Sequence, residues 1–270
     1  MDPYWQYQIP LWMLVGLFPL VLLIALEVGF RLGNRSRDIA PNTWKRAGGD
    51  VTLTAMLALL GLMLAFTYSF SLSRADLRKV AVIEEANAIG TAFLRADLLS
   101  EPGRSEVRQR LFDYAKSRHV EPGTVKTRKE LQAVVDRSVG LQSKIWPTLR
   151  LALNQSSEMS APERALLISA TNDVLDAHTK KLAVILDRLP TAVLGLLLFI
   201  ASASLAMAGY NSALRRRGDR WRLTSFAMVL AGLMYIILDY DMMMRGLIQV
   251  DQQSIILLIE EMQKAVSASQ

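Results

Sequence analysis

Apolar and charged positions are segregated into blocks along this chain, whereas most soluble proteins mix them. Four stretches are almost free of charge, at about 9–30, 51–72, 191–210 and 223–247. Each holds about 20 residues, which lets an α-helix cross a hydrocarbon core about 30 Å thick. The pattern therefore predicts an integral membrane protein with four transmembrane helices.

The residues after the second apolar stretch predict a helix that continues beyond the membrane. Between Arg74 and Leu99 the chain has no proline and only one glycine, and alanine, glutamate, arginine and leucine dominate. A single glycine weakens a helix without ending it, whereas a Pro-Gly pair marks a turn. We therefore expect the second helix to continue as a stalk and to end at Glu101-Pro102-Gly103.

The remainder of residues 73–188 also carries helical signals, and strand signals are weak. A long helical stretch at about 124–153 contains Pro147, which is expected to kink or split it. Ser160, with Glu163 three residues later, forms a capping-box pattern that begins the next helix. Apolar residues of that helix predict a stripe that packs on its neighbours: Leu166, Leu167, Val174, Leu175, Leu182, Ile185 and Leu186.

These signals together predict an all-α membrane protein. Its expected parts are transmembrane helices 1 and 2 within 1–72, transmembrane helices 3 and 4 within 189–248, and a helical tail at 249–270. A water-facing helical bundle at 73–188 is inserted between helices 2 and 3. The first and last helices of this bundle are expected to be continuous with the neighbouring spans.

Charge places the two short connections on the cytoplasmic side. Residues 31–50 hold five Lys or Arg against two acids, and residues 211–222 hold five against one. Short basic loops are poorly translocated, so both termini and residues 73–188 are expected outside the cytoplasm, across a bacterial inner membrane. The basic residues of Arg31–Arg46 and Arg215–Arg222 should contact anionic lipid headgroups, which explains the net charge of +6 without nucleic acid.

A polar stripe on the stalk is the first candidate for an ion pathway. Glu84, Asn87 and Thr91 recur at spacings of three and four, so they share one face of a helix. The small residues Ala88 and Gly90 let another helix come close. The stripe could line a water-filled pathway, or it could be a polar contact surface within the bundle.

Charged residues near the end of the fourth span are the second candidate. Asp239, Asp241 and Arg245 follow a long uncharged stretch, and an acid in hydrocarbon must face protein, water or a basic partner. Around an axis shared by several subunits, such acids would form a ring that attracts cations. Alternatively the span ends near Leu238 and leaves an interfacial ion pair.

Thr67 and Ser71 lie one turn apart in the second span. Their hydroxyl groups can donate to carbonyl groups of their own helix, or they can coordinate a passing ion. Both readings are open from the sequence.

Signals for catalysis and for a cofactor are missing from the sequence. There is no cysteine, and the two histidines, His119 and His178, do not stand in a metal-binding spacing. No phosphate loop, Gly-rich dinucleotide turn or nucleophile elbow occurs. We therefore expect neither an enzyme nor a bound cofactor or metal.

The run Leu64-Ala65-Phe66-Thr67, followed by Glu84 to Thr91 and by Leu94-Arg95, resembles a bacterial membrane family of unknown function labelled bestrophin-like. The arrangement of two spans, an insert and two further spans is similar as well. The resemblance implies a relation to bestrophins, which are pentameric ion channels with an axial pore lined by the second helix. Phe66 and Phe70, one turn apart, are then the nearest candidates for a constriction of that pore.

The leading hypothesis is a homo-oligomeric ion channel or ion-permeation protein. The alternatives are a membrane-anchored sensor or interaction protein with an extracytoplasmic bundle, and a structural or assembly factor. Bestrophins keep both termini in the cytoplasm, whereas the loop charges here place both termini outside.

Overall fold

The computed structural model describes residues 11–39, 49–121, 124–125, 127–215, 220–242 and 250–268. Within these residues the chain is helical and has no strand, so the predicted all-α class is confirmed. The helices are α1 (Leu11–Ile39), α2 (Gly49–Arg95), α3 (Gly103–Arg118), α4 (Arg128–Gln142), α5 (Ile145–Gln155), α6 (Ala161–Leu186), α7 (Thr191–Leu214), α8 (Arg220–Asp241) and α9 (Gln253–Ala268).

Four helical segments of the described chain are long and apolar enough to cross a membrane, as predicted. They are Gly16–Ile39, Val51–Leu98, Ala161–Leu214 and Arg220–Asp241. The first helix continues beyond the predicted end of its span at residue 30, because the charged residues that follow are also compatible with a helix. The predicted end of the fourth span, near residue 247, lies outside the described residues.

Helix α2 continues beyond residue 72, as predicted, but it ends at Arg95, before the predicted end at Glu101-Pro102-Gly103. It has 47 residues without a break, which corresponds to a length of about 70 Å. A short 3-10 turn at Ala96–Leu98 follows it, and Pro102 is the N-cap residue of α3. The helix continues because no proline lies between Arg74 and its end, and the single glycine there weakens a helix without ending it.

The later helices begin and end largely where local signals predict. The stretch with Pro147 is split between α4 and α5, and the proline lies in the first turn of α5, where its missing N–H is tolerated. The capping box of α6 is also present. The Glu163 carboxylate accepts from the Ser160 N–H at 2.9 Å and from its hydroxyl at 2.7 Å.

The buried face of α6 differs from the predicted stripe. Leu166 and Leu186 are exposed at 49% and 44%. The buried residues of the helix are Leu167, Ala170, Thr171, Val174, His178 and Lys181. The predicted stripe is correct for Leu167 and Val174, which are buried, and wrong for Leu166 and Leu186. Apolar residues occupy more than one face of this helix, and the face that packs inward also carries His178 and Lys181.

The described chain divides into two compact units. The first, here the bundle unit, comprises residues 74–187 and 250–268. Helix α3 packs in it against α4, α5 and α9, and α5 also contacts α4 and α6. The outer part of α2 contributes apolar side chains to the same core. Its core contains Ile89, Phe93, Leu111, Leu149, Leu167, Val174, Ile255 and Met262. The Gln252 amide joins the start of α9 to this unit, since it donates to the Val120 carbonyl at 2.8 Å and accepts from the Val120 N–H at 3.0 Å.

The second, here the apolar unit, comprises residues 11–39, 49–73, 188–215 and 220–242. Helix α1 packs against α7 and α8. The approach of α1 to α7 requires glycine: a Cβ on Gly209 would lie 2.6 Å from the Leu26 carbonyl oxygen, and one on Gly33 would lie 2.6 Å from that of Tyr210. Small residues allow such close contact between helices in a membrane, where packing drives association.

Candidate functional site

The polar stripe of the stalk lies on the outside of the bundle unit. Asn87 and Thr91 are exposed, and Glu84 is partly exposed. The Glu84 carboxylate contacts the Lys180 ammonium at 2.6 Å. Exposed apolar residues continue the same helix face on both sides of the stripe at spacings of three and four: Leu77, Val80 and Leu94. This face of α2 carries polar groups in its centre and apolar groups at its ends.

In the apolar unit, the candidate residues of α2 are divided between two faces. Phe66 and Phe70 are exposed at 53% and 63%, whereas Thr67 and Ser71 are buried at 4% and 1%. Neighbouring residues of a helix point about 100° apart, so one helix cannot present both pairs to one pathway. The Thr67 hydroxyl donates to the Met63 carbonyl at 2.8 Å, which is the local arrangement that the sequence left open.

The acids of α8 are buried in the apolar unit. Asp239 is 1% exposed and accepts from the Tyr235 hydroxyl at 3.2 Å. Asp241 is 2% exposed and accepts from the Leu189 N–H at 3.0 Å, just before α7 begins. Helix α8 continues to Asp241, so both acids are part of the helix. The third candidate of this group, Arg245, lies outside the described residues.

A buried charge network joins three helices of the bundle unit. Glu85 of α2 is fully buried, and its Oε1 atom lies 2.7 Å from Arg118 Nε of α3. Its Oε2 atom lies 2.7 Å from Lys181 Nζ of α6. The Tyr114 hydroxyl donates to Oε1 at 2.8 Å and contacts His178 Nδ1 at 2.9 Å. These five side chains, here the Glu85 network, connect α2 to both α3 and α6.

Proton positions in the Glu85 network follow from its donors and acceptors. An ionised carboxylate only accepts, so the single hydroxyl proton of Tyr114 is donated to Glu85. The Tyr114 oxygen then accepts from His178, which places the ring proton on Nδ1. His178 Nε2 is therefore a bare acceptor, and it is buried without a hydrogen-bond partner among the described residues.

Burial and neighbouring charges shift the pKa values of the network. Burial opposes ionisation of Glu85, but Lys181 and Arg118 outweigh it and hold the pKa of the carboxyl below its usual value. Burial, with the Glu85 charge, raises the pKa of the Tyr114 hydroxyl, so that group stays a donor. Burial, reinforced by Arg118, lowers the pKa of His178 to about 4. Burial lowers the pKa of Lys181, and the Glu85 carboxylate opposes that shift. With Lys181 and Arg118 protonated beside the ionised Glu85, the network holds two cations, one anion and a neutral imidazole.

Comparison with protein-family models identifies the family of this chain. The bestrophin-like domain matches residues 16–255, which is most of the sequence. The chain belongs to the bestrophin-like family. No curated protein matches this sequence.

Solved structures support the bestrophin-like fold. A crystal structure of a membrane protein variant matches with a TM-score of 0.66 and 10% identity, covering 95% of this chain and 98% of the other. A bacterial bestrophin homolog from Klebsiella pneumoniae, a tyrosine-to-alanine variant, matches with a TM-score of 0.62 and 10% identity, covering 91% and 99%. At this identity the likeness concerns the fold. The resemblance stated from the motif around Glu84 is thereby confirmed.

The Glu85 network was missed from the sequence, although a signal for it exists. Glu85 shares a helix face with the buried apolar residues Val82 and Ile89, and an acid on an apolar face requires a cationic partner. His178 and Lys181 likewise follow Val174 at helical spacing. The described residues contain no group of three His, Cys, Asp or Glu side chains that could hold a metal ion. Ion pairs and hydrogen bonds hold the five side chains of the network together.

Proposed function

We propose that this bestrophin-like protein is a homo-oligomeric ion channel of the bacterial inner membrane in which α2 lies nearest the pathway. The observation that carries the proposal is the poor coverage of α2 within one subunit. Only 17% of its apolar stretch is buried, against 33–39% for the other three candidate spans. A helix this exposed has a large face available for other copies or for a central conduit.

The exposed face of α2 supplies the chemistry for such a conduit. Phe66 and Phe70 would form an apolar constriction, because rings of exposed aromatic side chains can gate a pore by excluding water. Glu84, Asn87 and Thr91 would line a wider, polar vestibule further along the helix. Bestrophins, which are ion channels, share the family and the fold, and this supports the assignment by analogy.

Asp239 and Asp241 are both buried and hydrogen-bonded within the protein, so they would not touch a passing ion. Their negative charge would attract cations electrostatically, from a distance. Thr67 fits better as an internal contact of the helix than as an ion ligand, since its hydroxyl donates to Met63. The Ser71 hydroxyl is buried without a hydrogen-bond partner among the described residues.

The proposed orientation keeps the short basic loops in the cytoplasm and residues 73–188 outside. Arg31 and Arg220 fit contact with anionic headgroups, because their side chains are 79% and 61% exposed. Both also pair with Glu27, at 3.0 Å and 3.5 Å, which leaves this small cluster with a net positive charge.

Ion flux in liposomes tests the proposal. We expect flux above that of protein-free liposomes, with Phe66→Ala raising the flux because it widens the constriction. Phe199→Ala is the matched control, since Phe199 of α7 is also an exposed phenylalanine of the apolar unit, at 71%. Glu84→Gln should change the ratio of cation to anion flux, and Glu106→Gln, an exposed acid of α3, should not.

The outcomes separate the rival functions. A folded particle that supports no flux would refute conduction and favour the sensor or assembly role. Equal effects of Phe66→Ala and Phe199→Ala would show that α2 does not line the pathway, even if the protein conducts.

A further inference from the structure

Only one of the two ring nitrogens of His178 forms a hydrogen bond within the described residues. Its Nδ1–H donates to Tyr114, while the bare Nε2 is buried without a partner in the described part of the chain. The side chain is only 3% exposed. A proton taken up on Nε2 would create a buried N–H donor that lacks an acceptor, and leaving such a group unsatisfied costs free energy.

The net charge of the groups around His178 disfavours protonation of its ring. Arg118 comes from α3 and Lys181 from its own helix, and only Glu85 of α2 is negative. Tyr114, also from α3, stays neutral. The buried set therefore already carries one excess positive charge, and an imidazolium would raise it to two. The carboxylate already accepts from three donors at 2.7–2.8 Å, and His178 is not one of them.

We propose that His178 is a proton sensor of the bundle unit, whose protonation opens the junction of α2, α3 and α6. In the closed junction the ring stays neutral. In an opened junction it is hydrated and binds a proton as an ordinary histidine does. Acid thus favours the open state by mass action, since that state binds the proton better.

The location of His178 suits this role. Glu85 lies about 20 Å along α2 beyond the uncharged stretch that ends at Leu72, so the network is outside the proposed membrane spans. Glu85 also adjoins Glu84, the exposed acid of α2. Opening the junction would release the outer part of α2 from α3 and α6. The switch does not depend on conduction, and its test requires no ion flux.

The size of the pH effect on opening follows from the difference in the pKa of His178 between the closed and the open junction. With a pKa of about 4 when closed and about 6.5 when open, the opening equilibrium should rise about 20-fold between pH 7 and pH 5. Hydrogen exchange of the full-length protein in detergent measures this equilibrium, once the known pH dependence of chemical exchange is removed. Peptides from α3 and from 171–186 should show the rise. Peptides from α4, which carries no member of the network, serve as the reference.

The chain offers a matched control because it has two histidines. His178→Gln keeps an amide that can donate to Tyr114 but does not titrate, so the rise should disappear. His119→Gln should retain it. The sensor is refuted if wild-type protein shows no rise, or if His178→Gln shows the same rise as wild type.

A second measurement decides the matter if His178→Gln does not fold. The His119→Gln protein has a single imidazole, and ¹⁵N-histidine NMR reports its ring nitrogens directly. The proposal expects a bare Nε2 at pH 7 and protonation that accompanies the rise in exchange. A bare Nδ1, or protonation of the ring without any rise, would overturn it.

Discussion

Two neighbouring ion pairs of the bundle unit differ in burial and in the number of their partners. Glu84 contacts Lys180 at 2.6 Å, and Glu85 contacts Lys181 at 2.7 Å. All four residues lie on α2 and α6. The side chains of the first pair are 43% and 59% exposed, whereas those of the second are 0% and 7% exposed. The same substitution at each glutamate therefore compares a buried carboxylate that has two cationic partners with a surface carboxylate that has one.

We expect Glu85→Gln to lower the free energy of unfolding by about 3–5 kcal/mol, because it leaves Arg118 and Lys181 buried without a counter-charge. We expect Glu84→Gln to cost about 0–1 kcal/mol, since water already screens that pair. Glutamine keeps the volume of glutamate and removes its charge, but its amide nitrogen donates where a carboxylate oxygen accepts. At Glu85 the expected loss therefore includes a hydrogen bond as well as the charge.

The assay is equilibrium unfolding of the purified protein in mild detergent, followed by circular dichroism during titration with a denaturing detergent. Adding Lys181→Met to Glu85→Gln should recover part of the loss, because one of the two stranded cations is removed. If the two glutamine variants lose similar, small amounts of stability, the buried network does not hold α2 to its neighbours and the reasoning is wrong.

Two further outcomes are expected. Gly209→Ala should lower the free energy of unfolding by about 1–3 kcal/mol, because its Cβ would lie 2.6 Å from a carbonyl oxygen of α1. Gly232→Ala, where a Cβ meets nothing within 4 Å, is the control in the same unfolding assay, and equal losses would contradict the close packing. Because the chain has no cysteine, Asn87→Cys provides a single thiol on the exposed face of α2. It should cross-link between subunits if these faces meet in an oligomer, as gel electrophoresis would reveal, whereas Glu106→Cys should not.

Much of the secondary structure could be predicted because it depends on local chemistry. A helix in hydrocarbon satisfies its own backbone, so uncharged stretches of about 20 residues are sufficient to predict spans. The stalk, the split near Pro147 and the cap at Ser160 are equally local, since each depends on which backbone donors a few neighbouring residues supply or remove.

The sequence could not decide which face of each helix is buried. Glu84 and Glu85 are chemically identical neighbours, and only the packing of α3 and α6 against α2 makes one a surface residue and the other the centre of a buried network. The same holds for Phe66 and Thr67, which packing assigns to opposite environments. Burial depends on contacts between residues far apart in the chain. When several faces of a helix are apolar, the spacing of its apolar residues does not show which face makes those contacts.

Hydropathy and helix-end signals by themselves determined that this protein has four apolar helices, a stalk and an all-α fold. Tertiary structure alone decided the partners of Glu85, the isolation of His178 Nε2 and the glycine contacts of α1 with α7. The reason is physical: helix formation and transfer into hydrocarbon depend on local sequence, whereas the pairing of a buried charge depends on which helices approach it.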